Sequence, residues 1–267
     1  MKYKIIFCGF VTQLFTIGFF TYSASLFFPE VLAEFDADIT QVMAGPTIAT
    51  FFGLITMPIA GMLLDRYSAR LIMLVGAICF STGLWVLAHS KTIFQFVLLF
   101  GITMSLANSL VGSMSASTII SRSFDRFRGR ALGLSAAGTS IGGILLPSLL
   151  SDLIQTNGWR GTLELFSVSL LVVTLPVIFF SLGKAAPSHG DQVNSNLTSK
   201  GISASDSDRE IKISDFLKNP GFWYLGLSLG FLFSGYSATL ANLTPYVIDL
   251  GNKRQDAAGL IMLIAFT

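Results

Sequence analysis

Residues 61–73 read Gly61-Met62-Leu63-Leu64-Asp65-Arg66-Tyr67-Ser68-Ala69-Arg70-Leu71-Ile72-Met73, a short charged turn between two long apolar runs. About 20 apolar residues in a helix cross a hydrocarbon core of ~30 Å. A hairpin of two such helices must leave its turn at the membrane surface, because lipid cannot satisfy irregular backbone. Asp65, Arg66 and Arg70 therefore mark one face of a bilayer. Working outward from this turn, charge-free or nearly charge-free runs cover 5–28, 40–64, 71–88, 92–121, 131–151, 161–183 and 220–248. Each is long enough to span.

Composition agrees with that reading. Hydrophobic residues make up 52% of the 267-residue chain and charged residues only 12%, well below the ~25% charged content of soluble domains. The expected fold class is all-α integral membrane. Lys2 and Lys4 before an apolar stretch, with Ser23-Ala24-Ser25 beyond it, superficially suggest a secretory signal. The stretch from Ile5 to Phe28 is, however, longer than the roughly 7–15 residues of a signal core, so it reads as the first transmembrane helix. Cys8 and Cys79 fall inside separate apolar runs with no metal-ligand or redox spacing around them, and small apolar side chains are their expected role.

Orientation follows from the basic residues. A cytoplasmic N-terminus puts 13 of the 17 Lys and Arg inside and leaves only Lys91, Arg160, Lys253 and Arg254 outside. The positive-inside rule favours that arrangement, and the acidic first outer loop, with Glu30, Glu34, Asp36 and Asp38, agrees. The expected location is the plasma (inner) membrane. Residues 184–219 are rich in Ser, Asp and Lys and read as a cytoplasmic linker. The expected organisation is a six-helix bundle over 1–183, the linker over 184–219, and an incomplete second bundle over 220–267. That second part holds a seventh helix and the start of an eighth. Tyr236-Ser237-Ala238-Thr239-Leu240 in the seventh span echoes Tyr22-Ser23-Ala24-Ser25-Leu26 in the first, which suggests repeated halves.

The spacing of Gly61, Asp65, Arg66 and Arg70 resembles the G-x-x-x-D-R-x-G-x-R loop between helices 2 and 3 of the major facilitator superfamily. Ser68 stands where that family usually has Gly, a departure expected to cost a little in a tight turn. Phe124-Asp125-Arg126-Phe127-Arg128-Gly129-Arg130-Ala131-Leu132-Gly133-Leu134, with Ala137-Gly138 and Pro147, resembles the start of helix 5 in the branch of oxalate/formate antiporters and monocarboxylate porters. Gly158-Trp159-Arg160 resembles a turn of the same superfamily, as does Asn219-Pro220-Gly221-Phe222-Trp223 with Thr244-Pro245-Tyr246. Against the branch, the first span lacks an acidic-Gly pair and the fourth lacks an Arg. The resemblance implies two six-helix bundles rocking about a midplane site, and implies that Asp65 belongs to a latch between the halves. Otherwise Asp65 is a loop acid pairing with Arg66 or Arg70. It also implies that Gly138 and Gly142, a small-xxx-small pair, seal span 5 against the other half.

An ionisable residue inside the hydrocarbon is a functional candidate by default, and this chain has almost none. Glu164 is the exception: either a coupling carboxylate, or the i+4 partner of Arg160 near the outer interface. Uncharged polar residues map a route better. At 100° per residue, Gly9, Thr12, Thr16 and Ser23 share a face of about 60°; Ser105, Asn108, Ser109, Gly112 and Ser115 share one of about 120°; Ser228, Gly235, Thr239 and Asn242 share a third. These stripes on spans 1, 4 and 7 face either a substrate or a neighbouring helix. The substrate-pathway candidates are Thr12, Thr16, Ser105, Asn108, Ser109, Ser115, Thr239 and Asn242.

The resulting expectation is a secondary active transporter of a small solute, an organic anion such as a monocarboxylate, coupled to protons or to a counter-transported anion. The alternative is a non-transporting truncated membrane fragment or interaction protein. No cofactor or metal is expected, and no basic run interleaved with aromatics suggests nucleic acid. The absence of G-x-x-x-x-G-K-[ST] argues against an ATP-driven pump, and no nucleophile-base set or paired catalytic carboxylates point to an enzyme.

Overall fold

The computed structural model describes residues 2–124, 127–182, 220–251 and 253–266. The expected linker at 184–219 lies outside the described residues, as do Asp125 and Arg126. Among the described residues every regular element is helical. The elements are α1 (Lys2–Ile17), α2 (Phe28–Phe35), α3 (Ile39–Arg66), α4 (Ala69–Ala88), α5 (Ile93–Leu110), α6 (Ser113–Ser123), α7 (Arg128–Ser181), α8 (Pro220–Asp249) and α9 (Arg254–Phe266). Among the described residues, five helical stretches are long and apolar enough to cross a bilayer: Tyr3–Phe35, Ile39–Arg66, Ala69–Ala88, Ile93–Ser123 and Arg128–Ser181.

The expected runs at 131–151 and 161–183 are not separated by a loop. They form one helical stretch, α7, bent at Gly158, whose φ of 72° and ψ of 171° lie outside the helical region. Glycine takes that conformation without a Cβ clash, so the kink is made at a single residue. The expected Gly158-Trp159-Arg160 turn sits at this bend. Spans five and six are thus the two arms of α7.

Two further irregularities occur within spans. Between α1 and α2 the first span winds as a π-helix over Gly18–Ser23 and then as a 3₁₀ turn over Ala24–Phe27. The fourth span breaks at Val111–Gly112, between α5 and α6.

Buried apolar residues among those described gather into three clusters, two of them large. The larger gathers aromatic rings from spans 1, 3, 4 and 6, with Phe19 stacked on Phe166 at 4.7 Å between centroids. The smaller lies near the charged turn and holds Cys8, Leu64, Met73, Ile119 and Ile178. Spans 1 and 5 cross closely: a Cβ on Gly138 would lie 2.1 Å from the Phe10 carbonyl oxygen, and one on Gly142 would lie 2.5 Å from that of Leu14. The small-xxx-small pair therefore packs on span 1, inside the six-span group. It is the adjacent Gly143 that turns toward α9, where its Cβ would meet Ala265 at 2.6 Å.

Candidate functional site

The charged turn is built from two helix ends. Leu64 and Asp65 close α3, leaving carbonyl groups with no intrahelical partner. Arg122, at the end of α6, donates one guanidinium N–H to the Leu64 carbonyl at 2.7 Å and another to Asp65 Oδ1 at 2.6 Å. Asp65 thus pairs neither with Arg66 and Arg70 nor with α8 or α9. Arg70 lies over the Phe179 ring at 4.0 Å, and Arg66 is exposed. Ser68 has an extended backbone (φ −64°, ψ 131°), and its hydroxyl accepts from the Leu71 N–H at 3.3 Å. The departure from Gly costs nothing here, because no positive φ is required and Ser caps α4. Gly61 leaves room for Met114, whose Cε would lie 3.2 Å from an added Cβ.

The opposite end carries a denser network. Arg160 donates through Nε and Nη2 to Glu34 Oε1, at 3.1 and 2.7 Å, and also reaches the Ala88 and Ser90 carbonyls. Trp159 Nε1 donates to Glu34 Oε2 at 2.6 Å. The expected Arg160–Glu164 pair is not made: the bend at Gly158 aims Arg160 at the end of the first span, and Glu164 lies 3.6 Å from His89 Nε2. Glu164 is about half exposed.

Between the two ends lie two adjoining cavities that share Phe20. One, of about 230 Å³, is walled by spans 1, 2 and 4 through residues including Phe20, Thr50, Met57, Met104, Ser105 and Asn108. The other, of about 60 Å³, continues past Thr21, Ser25 and Phe28 to Ser237 and Ala241 of α8. Both irregular backbone segments flank this space. Phe20 belongs to the π-wound turn, a feature frequent at functional sites, and Asn108 lies one turn before the break in span 4. Irregular backbone at membrane depth is tolerated where protein buries it or where it lines a cavity.

The polar stripes divide accordingly. Ser105 and Asn108 line the larger cavity. Thr12, Thr16, Ser109 and Ser115 are buried among helices; Thr12 donates to the Gly9 carbonyl and Ser115 to that of Ser109. Thr239 and Asn242 are exposed on α8 and donate to their own helix at Gly235 and Ala238. Sequence reasoning missed Thr56, which joins Ser105 at 2.7 Å and Ser109 at 2.9 Å. It also missed Gln13, whose buried amide donates to Ser135 at 2.7 Å. A lone Gln or Thr in an apolar run was the available signal.

α8 and α9 meet the first six spans from mid-depth toward the Glu34 end. Tyr236 donates to the Tyr22 hydroxyl at 2.9 Å, Ser25 and Thr244 share a hydrogen bond of 3.1 Å, Gln255 donates to Asp152 at 3.1 Å, and Arg254 pairs with Glu30. Toward the Asp65 end, α8 is exposed from Pro220 through Thr239.

The chain is 32% identical over 143 residues to the fujikurins efflux protein of Gibberella fujikuroi, covering 54% of this chain and 30% of that protein. It is 25% identical over 256 residues to monocarboxylate transporter 4 of Rattus norvegicus, covering 92% and 51% respectively. The chain thus spans about half the length, or less, of these relatives. Its fold matches the inward-facing, unoccupied crystal structure of a bacterial homologue of the human lysosomal transporter Spinster, with a TM-score of 0.68 at 18% identity, over 99% of this chain and 60% of that one. The model of the Major Facilitator Superfamily matches residues 10–267. The chain is a multi-pass integral membrane protein and belongs to the major facilitator superfamily.

Proposed function

We propose that this chain forms part of a secondary active transporter that moves a small solute by alternating access, the solute being an organic anion such as a monocarboxylate. The observation that carries the reading is the asymmetry about the cavities: polar contacts between α8–α9 and the other spans run from Tyr22–Tyr236 to Glu30–Arg254 at one end, while α8 is exposed toward the other. Such a shape suits a cavity shut on one side and accessible from the opposite side. The organic-anion class is supported by the similarity to proteins such as rat monocarboxylate transporter 4. The placement of 13 of 17 basic residues at the Asp65 side of the membrane or in the linker supports a cytoplasmic accessible side, and on this reading the membrane is the plasma (inner) membrane.

Within this reading, 1–183 is the first bundle, 184–219 the linker and 220–267 the beginning of the second bundle. Ser105 and Asn108 contact solute, whereas Thr12, Thr16, Ser109 and Ser115 hold helices together. Thr239 and Asn242 join the solute route only when α8 rotates toward the cavity. Asp65 and Arg122 brace the cytoplasmic ends of spans 2 and 4, and Glu164 is the carboxylate to test for proton coupling. Uptake of labelled lactate, pyruvate and oxalate into proteoliposomes, under pH gradients of both signs, tests the proposal. Saturable uptake that responds to the sign of the gradient or to a counter-anion is expected; passive, unsaturable entry under every gradient would overturn it.

A further inference from the structure

The larger cavity has one polar group that the protein leaves uncommitted. Thr50 donates to its own helix at the Pro46 carbonyl, and Ser105 is bound to Thr56. The Asn108 carboxamide lines the cavity with no hydrogen-bond partner among the described residues. The side chain is part-buried, so its amide is accessible from the cavity, and whatever occupies the cavity can supply its hydrogen-bond partner. The local backbone makes space for it: a Cβ on Gly112, in the break of span 4, would lie 2.7 Å from Asn108 Oδ1. Around the amide the wall is apolar, formed by Phe20, Leu54, Met57 and Met104, and among the described residues no charged side chain lines it. Methionine is flexible and polarisable and adapts to irregular apolar shapes.

We propose that this wall, read as above as part of a solute site, binds the uncharged body of an amphipathic solute with a short aliphatic chain. Asn108 supplies the hydrogen-bonding contact, and Phe20, Met57 and Met104 enclose the chain. A compact dianion such as oxalate finds no counter-charge on this wall. The wall discriminates by chain length and by one neutral hydrogen bond.

The test is ligand-induced thermal stabilisation of the detergent-purified protein, with acetate, butyrate, hexanoate, hexanamide and oxalate as probes at constant pH and ionic strength. Affinity should rise at least about tenfold from acetate to hexanoate, since each buried methylene contributes to binding. Asn108→Ala should weaken hexanoate and hexanamide alike by about five- to tenfold, and Met57→Ala should flatten the dependence on chain length. Should Asn108→Ala fail to fold, Asn108→Gln, which displaces the amide by one methylene, carries the same expectation. Oxalate binding as tightly as hexanoate, unchanged affinities in the Asn108 variant, or no stabilisation by any probe would overturn the proposal. Chain-length-dependent binding without uptake in proteoliposomes would remove the transport reading and leave this one standing. Gradient-driven uptake that prefers oxalate would do the reverse.

Discussion

The two ends of this molecule are held by different kinds of contact. At the Asp65 end, Arg122 ties the last turn of α3 to the end of α6, and both belong to the first six spans. At the Glu34 end, Arg160 gathers the first span and the turn after α4 around one guanidinium, and Arg254 and Gln255 add links from α9 to Glu30 and Asp152. The first end is braced internally and leaves α8 exposed; the second ties α8 and α9 to the rest. Charged turns of similar composition thus do different mechanical work, and the difference lies in which helices they join.

The seam between spans 1 and 5 underlies both ends, and breaking it should give the largest effect. Gly138→Val places branched carbon where a Cβ alone would be 2.1 Å from the Phe10 carbonyl. A loss of about 3 kcal/mol or more is expected, seen as a sharp fall in melting temperature or loss of monodisperse protein. The next largest effect is predicted for Arg160→Ala, which strips partners from Glu34, Ala88 and Ser90. A loss of about 1–3 kcal/mol is expected after allowing for partial solvent exposure. Glu164→Gln should stay within about 0.5 kcal/mol, and equal effects of the two would contradict the assignment of Glu34 as the partner of Arg160.

Much of the fold is readable from apolar run lengths and from the turn at 61–73, because a bilayer demands about 20 residues per crossing. The features around the cavity are harder to read. The π-wound turn at Gly18–Ser23 and the break at Val111–Gly112 interrupt helices whose apolar pattern is continuous, so hydropathy carries no trace of them. Arg160 was expected to pair four residues along its helix, but the bend at Gly158 redirects it to a residue far away in sequence. The stripe on span 4 was legible as a face, yet Ser105 and Asn108 differ from Ser109 and Ser115 only through what packs beside them. Thr56 binds both Ser105 and Ser109, and only Asn108 and Ser105 of the four reach the cavity, where Asn108 has no hydrogen-bond partner among the described residues.

Smaller effects sharpen the comparison between the ends. Removing the link in Arg254→Ala should loosen the Glu34 end by about 1 kcal/mol, since the Arg side chain is 10% exposed while Glu30 is 43% exposed. The readout is faster thiol modification of a cysteine placed at Thr244. At the other end, Asp65→Asn should change stability by less than about 1 kcal/mol, because the Arg122 bond to the Leu64 carbonyl survives. Transport in that variant should fall through turnover more than through solute affinity; unchanged turnover would reduce Asp65 to a loop acid.

The claim that the cavity is shut at the Glu34 end and open toward the Asp65 end is tested most directly at Asn108 itself. With Cys8 and Cys79 replaced by Ala, Asn108→Cys is compared with Arg66→Cys and Lys91→Cys as markers of the two membrane faces, using a small impermeant thiol reagent added to one side at a time. Asn108→Cys should react from the side that modifies Arg66→Cys and be protected from the side that modifies Lys91→Cys. Reaction from the Lys91 side with protection from the Arg66 side would contradict the account.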